Sequence, residues 1–276
     1  MINIGKINTL TVSKQDSSGI YLSDGSGKQV LLVDKKPKKY ALEDSLEVFV
    51  FADNDGHLAA TTQLPLAQVG EIAYLKVVSV NYYGAFLEWG LTKNLLVPYS
   101  EQHHELDVDD SYFFKLFLDE KGRVAATTKI AQFLADEVEE GEFIVGQKVD
   151  LLIAEQTDLG IKAIVNNAYW GLLYENEVFQ TLRKGQRIAG YIKTIRDDFR
   201  LDLVLHEVGY GKVTTLTDTI LQSLRDNGGT LAVGDKSDPE TIYTLFGVSK
   251  KVFKQAIGAL YKQKQIEIEK MAIRLI

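Results

Sequence analysis

The sequence contains no cysteine. A disulfide framework, a cysteine-ligated zinc site and a thiol nucleophile are therefore excluded, and a reducing compartment fits. No apolar run approaches the roughly 20 residues of a membrane-spanning helix. The start, Met1-Ile2-Asn3-Ile4-Gly5-Lys6, lacks a charged leader followed by an apolar stretch. No secretory signal and no membrane partner are expected, and the expected setting is the cytoplasm. Excess positive charge is missing too: 31 basic against 38 acidic side chains give a net charge of -7. Binding a duplex by phosphate neutralisation alone would want the opposite sign. What is present is ordinary globular chemistry. Hydrophobic residues make up 45% of 276 positions. That is too many for a disordered chain, and the length suits two ordinary domains or four small ones.

No constellation reads as a reaction centre. His103-His104-Glu105 offers two imidazoles, but on a strand neighbours point to opposite faces, and no third ligand is spaced to help. Gly25-Ser26-Gly27-Lys28 lacks full P-loop spacing and is better explained as a hairpin tip. The acidic run Glu137-Val138-Glu139-Glu140-Gly141-Glu142 reads as a solvated linker. No catalytic residue, metal ligand or cofactor is expected.

An internal repeat sets the organisation. Asp53-Asn54-Asp55-Gly56-His57-Leu58-Ala59-Ala60-Thr61-Thr62 recurs 66 residues later as Asp119-Glu120-Lys121-Gly122-Arg123-Val124-Ala125-Ala126-Thr127-Thr128. Each copy follows a strand-like apolar run, Leu46 to Phe51 and Tyr112 to Leu118, so the pattern is strand, turn, strand. A more worn third copy opens at Val145-Gly146-Gln147 and ends through Arg196-Asp197-Asp198-Phe199-Arg200. Units of this length, rich in short strands, suggest small closed barrels, because closure removes exposed strand edges. Domains are expected at 1–65, 66–130, 131–213 and 214–276, with the last boundary near Gly209-Tyr210-Gly211-Lys212.

The last segment changes period. Ile220, Leu221 and Leu224 have helical spacing. Ser237-Asp238-Pro239-Glu240 is a helix start in which Ser237 caps and Glu240 completes a capping box, with Ile242, Leu245 and Phe246 inward. Gly247 ends that helix and Ser249 caps the next. Two short strands follow, over 265–269 and 271–276. Three helices and a hairpin make a winged helix-turn-helix. This segment alone is net positive, with nine basic and seven acidic residues. On the helix after Ser249, Lys250 lies beside a row formed by Lys251, Lys254, Gly258 and Lys262. A basic face there suits phosphate contact, and it is also what a merely solvated helix carries.

Tyr83-Gly84-Ala85-Phe86-Leu87-Glu88-Trp89-Gly90-Leu91, then Leu95-Leu96-Val97-Pro98-Tyr99-Ser100-Glu101, resembles the core signature of the S1 RNA-binding domain, an OB-fold barrel. The resemblance implies base stacking at Tyr83 and Phe86 and a polar pair at Asp119 and Arg123. Pro98 replaces the family's usual histidine. The first copy keeps Tyr21 and carries His57 in place of the arginine. The third places Lys162 at the second aromatic position, Tyr174 at the histidine position, and Arg196 and Arg200 about its last turn. Trp89 and Trp170 read as structural. Over essentially its full length the chain resembles the bacterial conserved virulence factor B family, carried also by Tyr169-Trp170-Gly171-Leu172-Leu173-Tyr174 and Ser249-Lys250-Lys251-Val252-Phe253-Lys254.

The expected fold is mainly β with an α+β tail: three tandem S1-like OB barrels, then a winged helix. The implied function is a non-catalytic RNA-binding regulator with single-stranded RNA as partner and a possible protein partner at the winged helix. The rival is a protein-interaction scaffold, favoured by the acidic balance and the worn first copy. A nuclease ranks last, for want of a metal-binding acidic cluster.

Overall fold

The structure, a computed structural model, describes residues 1–34, 39–53, 55–178, 180–206 and 211–276. Asn54 of the repeat and Gly209-Tyr210 of the expected boundary lie outside the described residues. Two compact units are formed, Met1–Leu134 and Ala135–Ile276.

The first unit holds two barrels. Strands β1 (Lys6–Asp16), β2 (Gly19–Ser23), β3 (Gln29–Leu32), β4 (Ser45–Ala52) and β5 (Leu58–Thr61) close in the order β1-β2-β3-β5-β4. Strands β6 (Ile72–Asn81), β7 (Gly84–Glu88), β8 (Leu95–Pro98), β9 (Ser111–Leu118) and β10 (Val124–Thr127) repeat the topology in the order β10-β9-β6-β7-β8, with β10 lying against β8. The second unit begins with a third barrel of β11 (Lys148–Thr157), β12 (Gly160–Val165), β13 (Tyr169–Tyr174), β14 (Arg187–Ile195) and β15 (Leu201–Val204). Each first strand pairs with two neighbours, and each shifts register on the way, at Val12/Lys14, Val77/Ser79 and Ile153/Glu155. A bulge bends a strand and sharpens its twist, which lets one strand serve both sides of a small barrel. Residues 25–28 form the expected tip between β2 and β3.

Strand β4 explains why the first two barrels form one unit. Val48 and Val50 point into the first barrel's core. Phe49, on the opposite face and fully buried, belongs to the second barrel's core, with Phe51 packed against the same cluster. Phe49 meets Trp89 edge-on at 5.5 Å. The sequence signal is the unbroken apolar run from Val48 to Phe51, which reads as a strand buried on both faces rather than one. Ile7 N donates to Gln68 Oε1 at 2.7 Å and Val69 N to Gly5 O at 2.9 Å across the same seam.

The acidic run before the third barrel is not a free linker. Its glutamates are exposed, but Val138 and the following Phe143 are buried in the third barrel's core. Glu142 accepts a hydrogen bond from the Tyr169 hydroxyl at 2.5 Å. That bond, with burial, pushes the phenol up to about 12. The sign is that of a raised group. Its contribution is fully present below the unfolded phenol value of about 10 and is lost as pH rises through about 12. A spectrophotometric titration of Tyr169→Phe should therefore lack one phenol that ionises near 12. Loss of an ordinary phenol near 10 instead would show that the bond is not maintained.

The tail folds as expected. Helices α1 (Gly211–Asp226), α2 (Pro239–Phe246) and α3 (Lys250–Lys262) pack with a three-stranded sheet of β16 (Thr230–Leu231), β17 (Ile266–Ile268) and β18 (Ile273–Leu275), in the order β16-β18-β17. Ile220, Leu224, Ile242, Phe253, Ile257 and Leu260 meet in its core. Three local expectations need correction. Asp238, not Ser237, caps α2, accepting from Glu240 N. Pro239 occupies the first turn, so the cap is the residue directly before it. Ser237 instead turns inward, buried, and accepts from Gly234 N at 2.8 Å. Leu245 is exposed, because α2 has only eight residues and buries just Ile242 fully. His103 and His104 follow a 3-10 turn rather than lying on a strand, so the alternation argument does not apply to them. Ser249 and Gly247 act as expected, the one accepting from Val252 N, the other left-handed at φ 66°.

Candidate nucleic-acid interface

The three barrels present equivalent positions at one register. Gly84 and Gly160 open the second strand of their barrels at φ 142° and 148°, a region that disfavours side chains. A Cβ at either would lie 2.1 Å from a carbonyl, that of Val97 or Leu173. Two residues on, Tyr21, Phe86 and Lys162 stand opposite Leu31, Leu96 and Leu172. Gly84 stands opposite Pro98 and Gly160 opposite Tyr174, so proline and tyrosine share the histidine position. The last hairpins share one hydrogen bond too: the amides of Asp53, Asp119 and Arg196 donate to the carbonyls of His57, Arg123 and Arg200 at 2.9, 2.9 and 3.0 Å.

In the second barrel Phe86, Pro98, Asp119 and Arg123 line one cleft of about 480 Å³. Arg123 is not a free cation. Its Nε and Nη2 donate to Asp119 Oδ2 at 2.9 and 2.7 Å. Burial pushes the Asp119 carboxyl up, but the guanidinium and the amides of Arg123 and Lys121 outweigh it and hold the group below its ordinary value. Tyr83 does not line the cleft; it sits on the β6–β7 turn, exposed, with its ring 4.0 Å from that of Tyr82. The exposed pair Tyr82 and Tyr83 forms a flat tip beside the barrel face. Tyr82 follows directly from reading the turn as a double-tyrosine tip rather than a strand.

The first barrel keeps Tyr21, with Lys14 Nζ 5.4 Å from its ring centroid. His57 is exposed, 3.8 Å from Asp53. Asp53, Asp55 and His57 place one ligand atom each within 4.8 Å of one another. In the third barrel Lys162 Nζ lies 4.0 Å over the Trp170 ring, and Lys193 Nζ 5.4 Å over that of Tyr174. Trp170 and Lys193 were not among the expected site residues, and Lys193 Nζ also donates to Glu177 Oε1 at 2.7 Å. Trp170 is four residues before Tyr174 on one strand, and that even spacing puts both on one face. Arg196 and Arg200 approach the Asp198 carboxylate only loosely, at 3.9 and 3.8 Å. They therefore keep more free donors than Arg123. On α3, Lys251, Lys254 and Lys262 are exposed and Lys250 is half-buried. Lys254 pairs with Asp235 at 2.7 Å, an exposed pair of the sort that is worth little. A Cβ on Gly258 would touch nothing within 4 Å, so the row of lysines has a flat, open centre.

The S1 domain family matches residues 4–63 and 69–129, the first two barrels. A CvfB-like winged helix domain matches residues 218–275. Relatives named conserved virulence factor B align along nearly the whole chain, among them one from Staphylococcus epidermidis, 27% identical over 289 residues, 99% of this chain and 94% of the relative. The chain is similar to the conserved virulence factor B proteins over nearly its whole length and carries S1 domains and a CvfB-like winged helix domain. Another relative, the uncharacterized protein YitL of Bacillus subtilis, is 25% identical over 268 residues, 95% of this chain and 90% of the relative. Among solved structures, a multidomain protein with nucleic acid binding domains from Streptococcus pneumoniae is 20% identical, covering 99% of this chain and 98% of that one, with a TM-score of 0.39. The chain thus combines S1 barrels with a winged helix, which are typically non-catalytic binding domains. Among the described residues, no helix is long and apolar enough to cross a membrane.

Proposed function

We propose that this chain is a non-catalytic, single-stranded-RNA-binding regulator of gene expression in the bacterial cytoplasm. The domains read from the sequence, 1–65, 66–130, 131–213 and 214–276, would act as three stacking modules and one phosphate-binding module. The observation that carries this is the shared register of Tyr21, Phe86 and Lys162, each half-buried and two residues after its strand's first glycine, with Pro98 and Tyr174 facing that glycine in the second and third barrels. Stacking tolerates any base and needs no net positive charge, which reconciles the binding with a net charge of -7. The basic face of α3 supplies phosphate contacts.

The salt dependence of binding tests this reading. A single strand gives about 0.7 in the log–log slope per phosphate contact. Replacing Lys251, Lys254 and Lys262 by alanine should therefore reduce the slope by about two, with binding weakened at low salt. Gly258→Ala should stabilise α3 by about 1 kcal/mol while weakening binding, because the added methyl fills the open centre of the face. An unchanged slope together with unchanged affinity would remove α3 from the interface. Absence of any binding to unpaired RNA, with a stoichiometric protein partner retained after nuclease treatment, would favour the scaffold reading that the acidic charge supports.

A further inference from the structure

The cleft beside Phe86 is not built by the second barrel alone. Its opposite wall is the first barrel, which contributes Asp34, Phe51 and Asp53. The two walls are held in fixed relation by the Phe49–Trp89 contact and by Thr92 Oγ1, which donates to Gln63 Oε1 at 3.0 Å. Trp89 Nε1 donates to Lys93 O at 2.7 Å, fixing the loop that brings Lys93 to the rim. A face that would be open in a single barrel is thus a two-walled slot. Its volume, about 480 Å³, falls within the range of small-ligand sites, about 300–1,000 Å³.

The charge of the slot says what enters it. Three carboxylates, those of Asp34, Asp53 and Asp119, outnumber Lys93 and Arg123. Such a lining disfavours phosphate and favours a flat apolar group carrying hydrogen-bond donors. The carboxylates are not equally available. Asp34 accepts from Thr61 Oγ1, Thr62 N and Thr62 Oγ1. Asp119 is taken up by Arg123 and two amides. Asp53 Oδ1 accepts from the amides of Asp55 and His57, while among the described residues Oδ2 has only the His57 imidazole at 3.8 Å, beyond hydrogen-bond distance. The His57 amide bond, against some burial, holds the Asp53 carboxyl below its ordinary value, so it is ionised at neutral pH.

We propose that the slot between the first two barrels takes a single nucleobase bearing an exocyclic amino group, stacked against Phe86, with that amino group donating to Asp53 Oδ2. Adenine, cytosine and guanine carry such a group; uracil offers only carbonyl oxygens and one ring N–H there. The worn first barrel then acts as a selector for its neighbour, and the chain prefers strands with an amino-bearing base at one position. This rests on the RNA-binding reading above.

The test compares full-length protein binding to adenosine and uridine oligoribonucleotides of equal length, with adenosine 5′-monophosphate as a third ligand. A hydrogen bond to a charged acceptor predicts about tenfold or greater preference for the adenosine oligomer. Asp53→Asn keeps the acceptor used by the turn amides but replaces the free oxygen by a donor. In that variant the preference should shrink to within about threefold, while Phe86→Ala weakens both oligomers alike. Competition by the mononucleotide at similar affinity would identify a free nucleotide as the natural occupant; competition only by the oligomer identifies a base within a strand. Equal affinity for the two oligomers in the parent protein, or a preference unmoved by Asp53→Asn, overturns the inference while leaving RNA binding standing. No binding of either oligomer fails the RNA reading itself.

Discussion

A Tyr83→Ala/Phe86→Ala variant is expected to bind an unpaired oligoribonucleotide at least about thirtyfold more weakly than the parent protein. Each base–aromatic stack is worth about 1–3 kcal/mol, and 1.4 kcal/mol is a factor of ten. The two rings should not contribute alike. Phe86 is half-buried in the slot and already ordered. Tyr83 is 61% exposed on a turn, its ring against Tyr82, so part of its partner surface remains when it is truncated. Phe86→Ala alone should therefore account for most of the loss, and Tyr82→Ala added to Tyr83→Ala should cost more than either alone. Fluorescence anisotropy at fixed salt, with thermal unfolding to confirm that the fold survives, measures this. Parent-like affinity in the double variant would take the second barrel out of the interface.

Phe49→Ala should be the most destabilising single truncation in the first unit. A fully buried phenylalanine lost to alanine costs about 3–5 kcal/mol, the transfer of the ring plus the cavity left behind. The site cannot collapse easily, because Phe49 is clamped between β4 of one barrel and Trp89 of the other. The effect should spread beyond the first barrel. Unfolding that is a single transition in the parent should separate into two, since the residue belongs to the second barrel's core while standing on the first barrel's strand. Equilibrium denaturation of the fragment 1–134, whose contacts are those of a compact unit, shows either one transition or two. A loss below about 1 kcal/mol with one sharp transition retained would mean that the barrels are held together elsewhere. In the same variant the slot loses its fixed wall, so base preference should fade even if binding persists.

Local chemistry was enough to read much of this from the chain. The 66-residue repeat, the Gly-Ala-aromatic motif and the change to helical spacing after residue 213 specify barrels and a winged helix, because turns, alternation and caps act over a few residues. Register equivalence across the barrels follows from the same motif, since a strand's period of two fixes which face a residue takes once its glycine is placed. Ser237 went wrong where two capping residues stand side by side, and only the position of Pro239 within the turn decides between them.

What tertiary structure alone decided is which faces became covered. Nothing between Val48 and Phe51 names Trp89 as a partner, and nothing in the acidic run reveals that Val138 and Phe143 are sealed into a barrel. Asp53 and Phe86 are 33 positions apart and meet across one slot because two barrels share a core. Residue type and spacing govern what a segment can form by itself; the match between distant surfaces depends on shape and on water excluded from both at once, and no short window of sequence carries that information.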